Sequence, residues 1–261
     1  MTILAKSFIG LVRAVATTTT TVRAASTVPL EQHVAADPGV DWDSFGFSLN
    51  GVRTDYMWLN RVVTDNKNPE QDLTYSASPD DCLMALKKLE LSPMATVLNY
   101  GQALFEGMKA FRRIDGSIAM FRPERNALRM QHGAKRFLLP PVPTETFVQA
   151  ADAVVRANAR WVPPLGKGAL YVRPMLMGTG EDLGVKPSWE TTFCVYCSPV
   201  GNYFKGGLKA IRLQAVRGFS RAAVGGTGDV KAIGNYVPAF SVQRQVKERG
   251  YDDVLCLDAA T

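Results

Sequence analysis

Histidine is almost missing from this chain. His33 and His132 are the two it has, and they lie far apart in sequence. With four scattered cysteines, Cys82, Cys194, Cys197 and Cys256, they leave little material for a metal site. Cys194 and Cys197 do form a C-x-x-C, but inside TTFCVYCSPV, which reads as a strand. Side chains three apart on a strand face opposite ways, so buried, unpaired thiols are expected rather than a zinc or redox pair. Runs of lysine or arginine are also lacking, and the aromatics do not interleave with the basic residues, which speaks against a nucleic-acid partner. No apolar run has the length to cross a bilayer, so no membrane partner is expected. Acids are absent from residues 1–30, which carry Lys6, Arg13 and Arg23; Glu31 is the first carboxylate. Without those three cations the formal charge of +6 falls to +3, a mildly basic body.

The acid-free segment MTILAKSFIGLVRAVATTTTTVRAAS mixes apolar residues, spaced basic residues and many Thr and Ser. It predicts an organellar transit segment over residues 1–30. Arg13 interrupts the apolar stretch, so a secretory signal fits less well. The spaced arginines favour the mitochondrial matrix, with the chloroplast stroma as the alternative. The remainder is ordinary globular material, 46% hydrophobic and 21% charged over the 261 residues, enough for one large domain or two modest ones.

Residues 31–60, with VDWDSFGF, read as an irregular lead-in, followed by a turn-rich DNKNPEQD. GMKAFRR and SIAMFR are short alternating runs joined through Ile114-Asp115-Gly116, a hairpin signal. Pro123 opens a predicted helix in which Ala127, Met130, Ala134 and Phe137 keep helical spacing. A second helix is predicted from Thr144 to Trp161. GALYVRPMLMG and TTFCVYCSPV read as strands, GNYFKGG as a linker, and LKAIRLQAV as a further strand. Asn235 is expected to cap a helix from about Tyr236 to Glu248, ending before Gly250. DVLCLDAAT begins as a buried strand and the chain stops. That leaves the second domain about fifty residues, thin for an independent core. The expectation is a fragment, an incomplete gene model, or a domain completed by another chain.

GGTGDVKAIGNY, residues 225–236, sets a single lysine among glycines. A phosphate-binding P-loop needs Gly before the lysine and Ser or Thr after it; Val230 and Ala232 stand there instead. The dinucleotide fingerprint has its G-x-G in Gly226 and Gly228, but Lys231 occupies the third glycine's place. A Schiff-base lysine remains. Only a neutral amine attacks a carbonyl, flanking glycines admit a bulky cofactor, and a nearby tyrosine or asparagine can bond its ring. On these residues alone a solvated loop lysine is the competing reading.

The ordered set LNYGQALFEGMKAFR, FRPERNALRM, LYVRPMLMGTG, SPVGNYF and GGTGDVKAIGNY closely resembles the branched-chain amino-acid aminotransferases, and VDWDSFGF and TDYMW resemble their plant-type members. The resemblance spans roughly residues 40–261. It implies a mixed α+β, two-domain fold type IV aminotransferase, with a small α/β domain and an incomplete, larger β-rich domain. The expected divisions are residues 31–203 for the small domain, 204–211 for the linker, and 212–261 for the start of the cofactor-binding domain. The implied cofactor is pyridoxal 5'-phosphate.

By match, Lys231 resembles the lysine that binds this cofactor covalently, Tyr236 the tyrosine that bonds its phenolic oxygen, and Arg129 the arginine that grips its phosphate. Tyr171 and Arg173 share one strand face and resemble the pair facing the substrate, with Arg173 receiving a distal carboxylate. Tyr100, Phe105 and Gly107 resemble the pocket for the aliphatic side chain, and Tyr203 an aromatic that closes over the site. Ile233 departs from the family, where a glycine often stands, with modest local consequence.

The resemblance implies a two-stage transamination of leucine, isoleucine or valine with 2-oxoglutarate, yielding branched 2-oxo acids and glutamate, in a homodimer. D-amino-acid aminotransferases and aminodeoxychorismate lyases share the scaffold, but Tyr-x-Arg and FEGMKA argue against both. The family's carboxylate for the pyridine nitrogen and its later phosphate loop fall beyond residue 261. The chain as given is therefore expected to be poorly active or unfolded, and its full-length parent active. The competing reading is a non-catalytic product that binds cofactor weakly or serves as a dimerisation partner.

Overall fold

A computed structural model describes residues 34–46, 53–64, 75, 79–201 and 210–258. The expected transit segment, Tyr203 and most of the expected linker lie outside the described residues. The framework is a seven-stranded antiparallel sheet whose two longest strands, β6 (Ala169–Gly178) and β7 (Glu190–Val200), are neighbours. β7 also pairs with β1 (Tyr56–Val63), which pairs with β2 (Leu83–Ala85), a strand entered from the short helix α1 (Pro79–Cys82). On its other edge β6 carries two strands end to end. β3 (Ala103–Phe105) faces residues 175–177 of β6, and β4 (Met108–Arg112) faces residues 170–172.

β3 and β4 keep one register against β6: Phe105 faces Met175 and Met108 faces Val172. Between them Glu106 donates its N–H to the Pro174 carbonyl at 2.8 Å. Pro174 has no N–H to return, so the ladder breaks at that pair. The break puts Glu106 and Gly107, still in line with the strands, at the centre of the sheet edge. β4 turns through Gly116, at φ 82°, into β5 (Ile118–Met120), the expected hairpin.

Helices α3 (Pro123–Arg136) and α4 (Thr144–Ala157) cover one face. Ala127, Met130 and Ala134 of α3 and Phe147, Ala150, Ala151 and Val154 of α4 are buried against Leu170, Val172, Leu176, Phe193, Val195 and Cys197. Alternation sends Met175, Met177, Cys194 and Tyr196 to the opposite face, where they meet Met57 and Ala103. The C-x-x-C thus straddles the sheet as its spacing requires. A further parallel pair joins β8 (Leu213–Ser220) to β9 (Asp253–Leu257), with α5 (Val237–Glu248) between them in sequence. Among the described residues no helix is long and apolar enough to cross a membrane.

Four expectations need correction. Residues 31–60 hold the first half of a core strand: β1 buries Met57 on one face and Trp58 on the other, so period-two alternation is masked. The second helix stops at Ala157 because the fully buried Asn158 turns its amide to the chain, accepting from the N–H groups of Asp55 and Tyr56 and donating to the Tyr56 and Val154 carbonyls; a 3-10 turn follows. The strand in LKAIRLQAV starts only at Leu213 and runs to Ser220. Asn235 does not cap α5: it ends a 3-10 turn, and its side chain is committed to the lysine loop.

Candidate active site

The lysine loop is tied at both ends and pinned in the middle. Asn235 Nδ2 donates to the carbonyls of Thr227 (2.7 Å) and Val230 (2.9 Å), while Thr227 Oγ1 donates to Asn235 Oδ1 at 2.6 Å. The Lys231 carbonyl accepts the Phe105 N–H at 3.1 Å, and Ala232 bridges to Leu104 on the open edge of β3. Val230 and Ala232 are buried in the helix-side core, which fixes the backbone on each side of a half-buried Lys231. Ile233 takes a place in the 3-10 turn with no left-handed φ, and its side chain packs on the second cluster. The position therefore tolerates a β-branched residue.

Lys231 Nζ donates to Tyr236 Oη at 2.7 Å and sits 4.1 Å from the Phe105 ring centroid. Tyr236 and Phe105 meet with centroids 5.0 Å apart. The Arg173 guanidinium lies 4.4 Å from the same Phe105 centroid and donates from Nη2 to Tyr171 Oη at 3.1 Å. Its Nε is buried without a hydrogen-bond partner. Tyr171 Oη in turn lies over Gly107, where a Cβ would fall 2.0 Å from it. Tyr196, opposite Arg173, is pushed up in pKa by burial, with the guanidinium pulling the other way. Arg129 of α3 grips Glu106, the residue between Phe105 and Gly107, two-handed, and this carboxylate raises the guanidinium's pKa, with the Tyr236 and Tyr171 phenols acting in the same direction.

Lys231, Tyr236, Phe105, Gly107, Tyr171, Arg173 and Arg129 are thus brought together from four stretches of chain. Tyr100 stands apart: its hydroxyl donates to the Leu183 carbonyl, beside a cavity of about 310 Å³ lined also by Thr96, Gln102 and Phe137. Sequence reasoning passed over Glu106, although a single acid in the apolar run ALFEGM is a legible sign of a buried, partnered carboxylate. It also misread Asn235.

Such a cluster, with a lysine on a phenol, one arginine over aromatic rings and a second held by a carboxylate, suits a carbonyl cofactor bearing an anion. Residues 103–261 match the family described as amino-transferase class IV. The chain belongs to the class IV aminotransferases, enzymes that use pyridoxal 5'-phosphate. It is 50% identical over 219 residues to a chloroplastic branched-chain amino acid aminotransferase of Humulus lupulus, covering 84% of this chain and 51% of that protein. To a mitochondrial branched-chain-amino-acid aminotransferase of Arabidopsis thaliana it is 49% identical over 222 residues, 85% and 55% of the two chains. The chain thus spans about half the length of the curated relatives it matches. Its fold is that of type IV aminotransferases: a branched-chain amino acid aminotransferase of Thermobaculum terrenum, solved in its pyridoxal-phosphate form, superposes with a TM-score of 0.58 at 17% identity, over 79% of this chain and 60% of that one.

The residues present fit the cofactor. An amine held by a phenol, a partly exposed arginine with donors to spare and an orphaned buried Arg173 Nε make a cationic donor set, and a Cβ at Gly234, further along the lysine loop, would meet nothing within 4 Å.

Proposed function

We propose that the protein transaminates leucine, isoleucine and valine with 2-oxoglutarate, giving branched 2-oxo acids and glutamate. The observation that carries this is Lys231 Nζ at 2.7 Å from Tyr236 Oη, above a Phe105 ring that also holds Arg173. Lys231 would bind the cofactor, Arg129 would hold its phosphate, and Tyr236 its ring oxygen. When bound, pyridoxal phosphate supplies an electron sink for the pair left behind on the substrate's α-carbon. Lys231 Nζ would take the proton from that carbon and pass it on to the former carbonyl carbon of the cofactor, acting first as general base and then as general acid. The Tyr236 hydroxyl orients the amine for both transfers.

The same pocket must take an aliphatic side chain in one half-reaction and a carboxylate in the other. Phe105 and Gly107 serve the first; Tyr100, bonded to the Leu183 carbonyl beside its own cavity, is assigned to it by the family resemblance alone. Arg173, steadied by Tyr171 and with its Nε unpartnered, serves the second. Tyr203, which the resemblance assigns to the substrate, lies outside the described residues. The small domain covers residues 31–203 and the cofactor-binding domain begins at 212. We propose a homodimer in an organellar matrix, addressed to the mitochondrion by residues 1–30.

Borohydride reduction in the presence of pyridoxal phosphate, followed by peptide mass mapping, tests the reading together with glutamate formation from leucine and 2-oxoglutarate by the full-length parent. The label is expected on Lys231, and Lys231→Ala is expected to lose label and turnover together. A label on another lysine, or turnover surviving in Lys231→Ala, would sink it.

A further inference from the structure

Glu106 is a fully buried carboxylate in a sheet edge, and its four donors converge from α3 and from the strand itself. Arg129 Nε reaches Oε1 at 2.6 Å and Arg129 Nη2 reaches Oε2 at 2.6 Å. Asn126 Nδ2 reaches Oε2 at 2.9 Å, and the Gly107 N–H reaches it at 3.3 Å. Asn126 also donates to the Gly107 carbonyl at 3.3 Å. The two partners differ sharply in exposure: the Glu106 side chain is 0% accessible and that of Arg129 is 54% accessible. The fork therefore buries one edge of the guanidinium and presents the other.

We infer that Glu106 is a positioning residue that sets the pose of Arg129 and, through it, the affinity for the phosphate ester of the cofactor. The inference rests on the reading of Arg129 as the phosphate holder. A guanidinium has five N–H donors in a rigid plane. Two are committed to Glu106, so Nη1 and the second hydrogen of Nη2 remain for an anion. A two-point contact fixes the plane, whereas a lone arginine on a helix surface samples many rotamers. Glu106 is held between β3 and β4, both hydrogen-bonded to β6, and by its own N–H to the Pro174 carbonyl. The carboxylate also neutralises Arg129. As a mere countercharge it would weaken phosphate binding, and its removal would tighten it; as a positioner its removal loosens it. The two roles predict opposite signs.

The test compares pyridoxal 5'-phosphate with pyridoxal, which lacks the phosphate, by tryptophan-fluorescence titration of the full chain. The quantity read is the ratio of the two dissociation constants. Arg129→Gln is expected to reduce the preference for the phosphorylated form by roughly 10- to 100-fold, the range for a charge-assisted hydrogen bond. Glu106→Gln, whose amide turns an N–H toward Arg129, is expected to reduce it by about tenfold while pyridoxal binds as before. The double variant should fall no further than Arg129→Gln alone. Asn126→Ala removes one donor without removing the charge and is expected to give a smaller drop; it carries the test if Glu106→Gln does not fold.

An unchanged or increased preference in the Glu106 and Asn126 variants, with Arg129→Gln still impaired, overturns the inference and leaves Arg129's role standing. Equal loss of both ligands makes Glu106 purely structural and also overturns it. An unimpaired Arg129→Gln overturns the phosphate reading and the inference together.

Discussion

Replacing Gly107 by alanine separates steric from backbone effects at the centre of the site. Gly107 does not occupy the left-handed region, so alanine costs nothing in φ. What it adds is a methyl group 2.0 Å from Tyr171 Oη and 2.9 Å from Cζ. To restore an ordinary contact of about 3.5 Å the ring tip must move by roughly 1.5 Å. The backbone of Tyr171 cannot follow, because β6 is paired on both edges. The ring must swing, and the 3.1 Å hydrogen bond from Arg173 goes with it. Overpacking of this kind costs about 1–3 kcal/mol. In a chain of this size each kcal/mol lowers the thermal midpoint by roughly 2–4 °C. Loss of a hydrogen bond to a charged group adds about 1.5–3 kcal/mol to whatever depends on the Arg173 pose, roughly 10- to 100-fold.

The expected result is a modest fall in melting temperature and, in the full-length protein, a disproportionate rise in KM for 2-oxoglutarate over that for leucine. Combining Gly107→Ala with Tyr171→Phe removes the closest contact and leaves the one at 2.9 Å, so part of the stability should return while the KM defect stays. A Gly107→Ala protein with the parent's melting temperature and the parent's KM for 2-oxoglutarate would refute the reasoning.

Asn158→Leu should be among the most damaging single changes away from the site: it strands the Asp55 and Tyr56 N–H groups and the Tyr56 carbonyl in a buried position, at a cost of about 2–4 kcal/mol that denaturant unfolding would read. Burial pushes the thiols of Cys194 and Cys197 up to about 12, so neither forms thiolate near neutral pH. A maleimide is expected to label the half-buried Cys256 of the folded protein well before either; rapid labelling of Cys194 or Cys197, or a disulfide between them, would contradict their placement on opposite faces.

Much of this protein is legible in its order of residues. The hairpin at Ile114-Asp115-Gly116, α3 opening at Pro123 and the two long strands follow from local periodicity and from the φ preferences of proline and glycine, which need no partner to act. The opposed thiols of the C-x-x-C follow from strand period alone. β1 was not legible, because a strand covered on both faces loses its alternation, and Asn158 shows why the end of α4 was not: a buried amide chose tertiary partners over the helix.

The site divides the same way. The spacing around Lys231 excluded two nucleotide loops, and the companion motifs pointed to the family. Only the fold could bring Lys231 and Arg173, far apart in sequence, onto one Phe105 ring, turn Asn235 from a helix cap into a loop tie, and set Glu106 behind Arg129. Those choices depend on which strand edges and helix faces meet, and hydrogen bonds and ion pairs across such long separations leave no periodic trace in the chain.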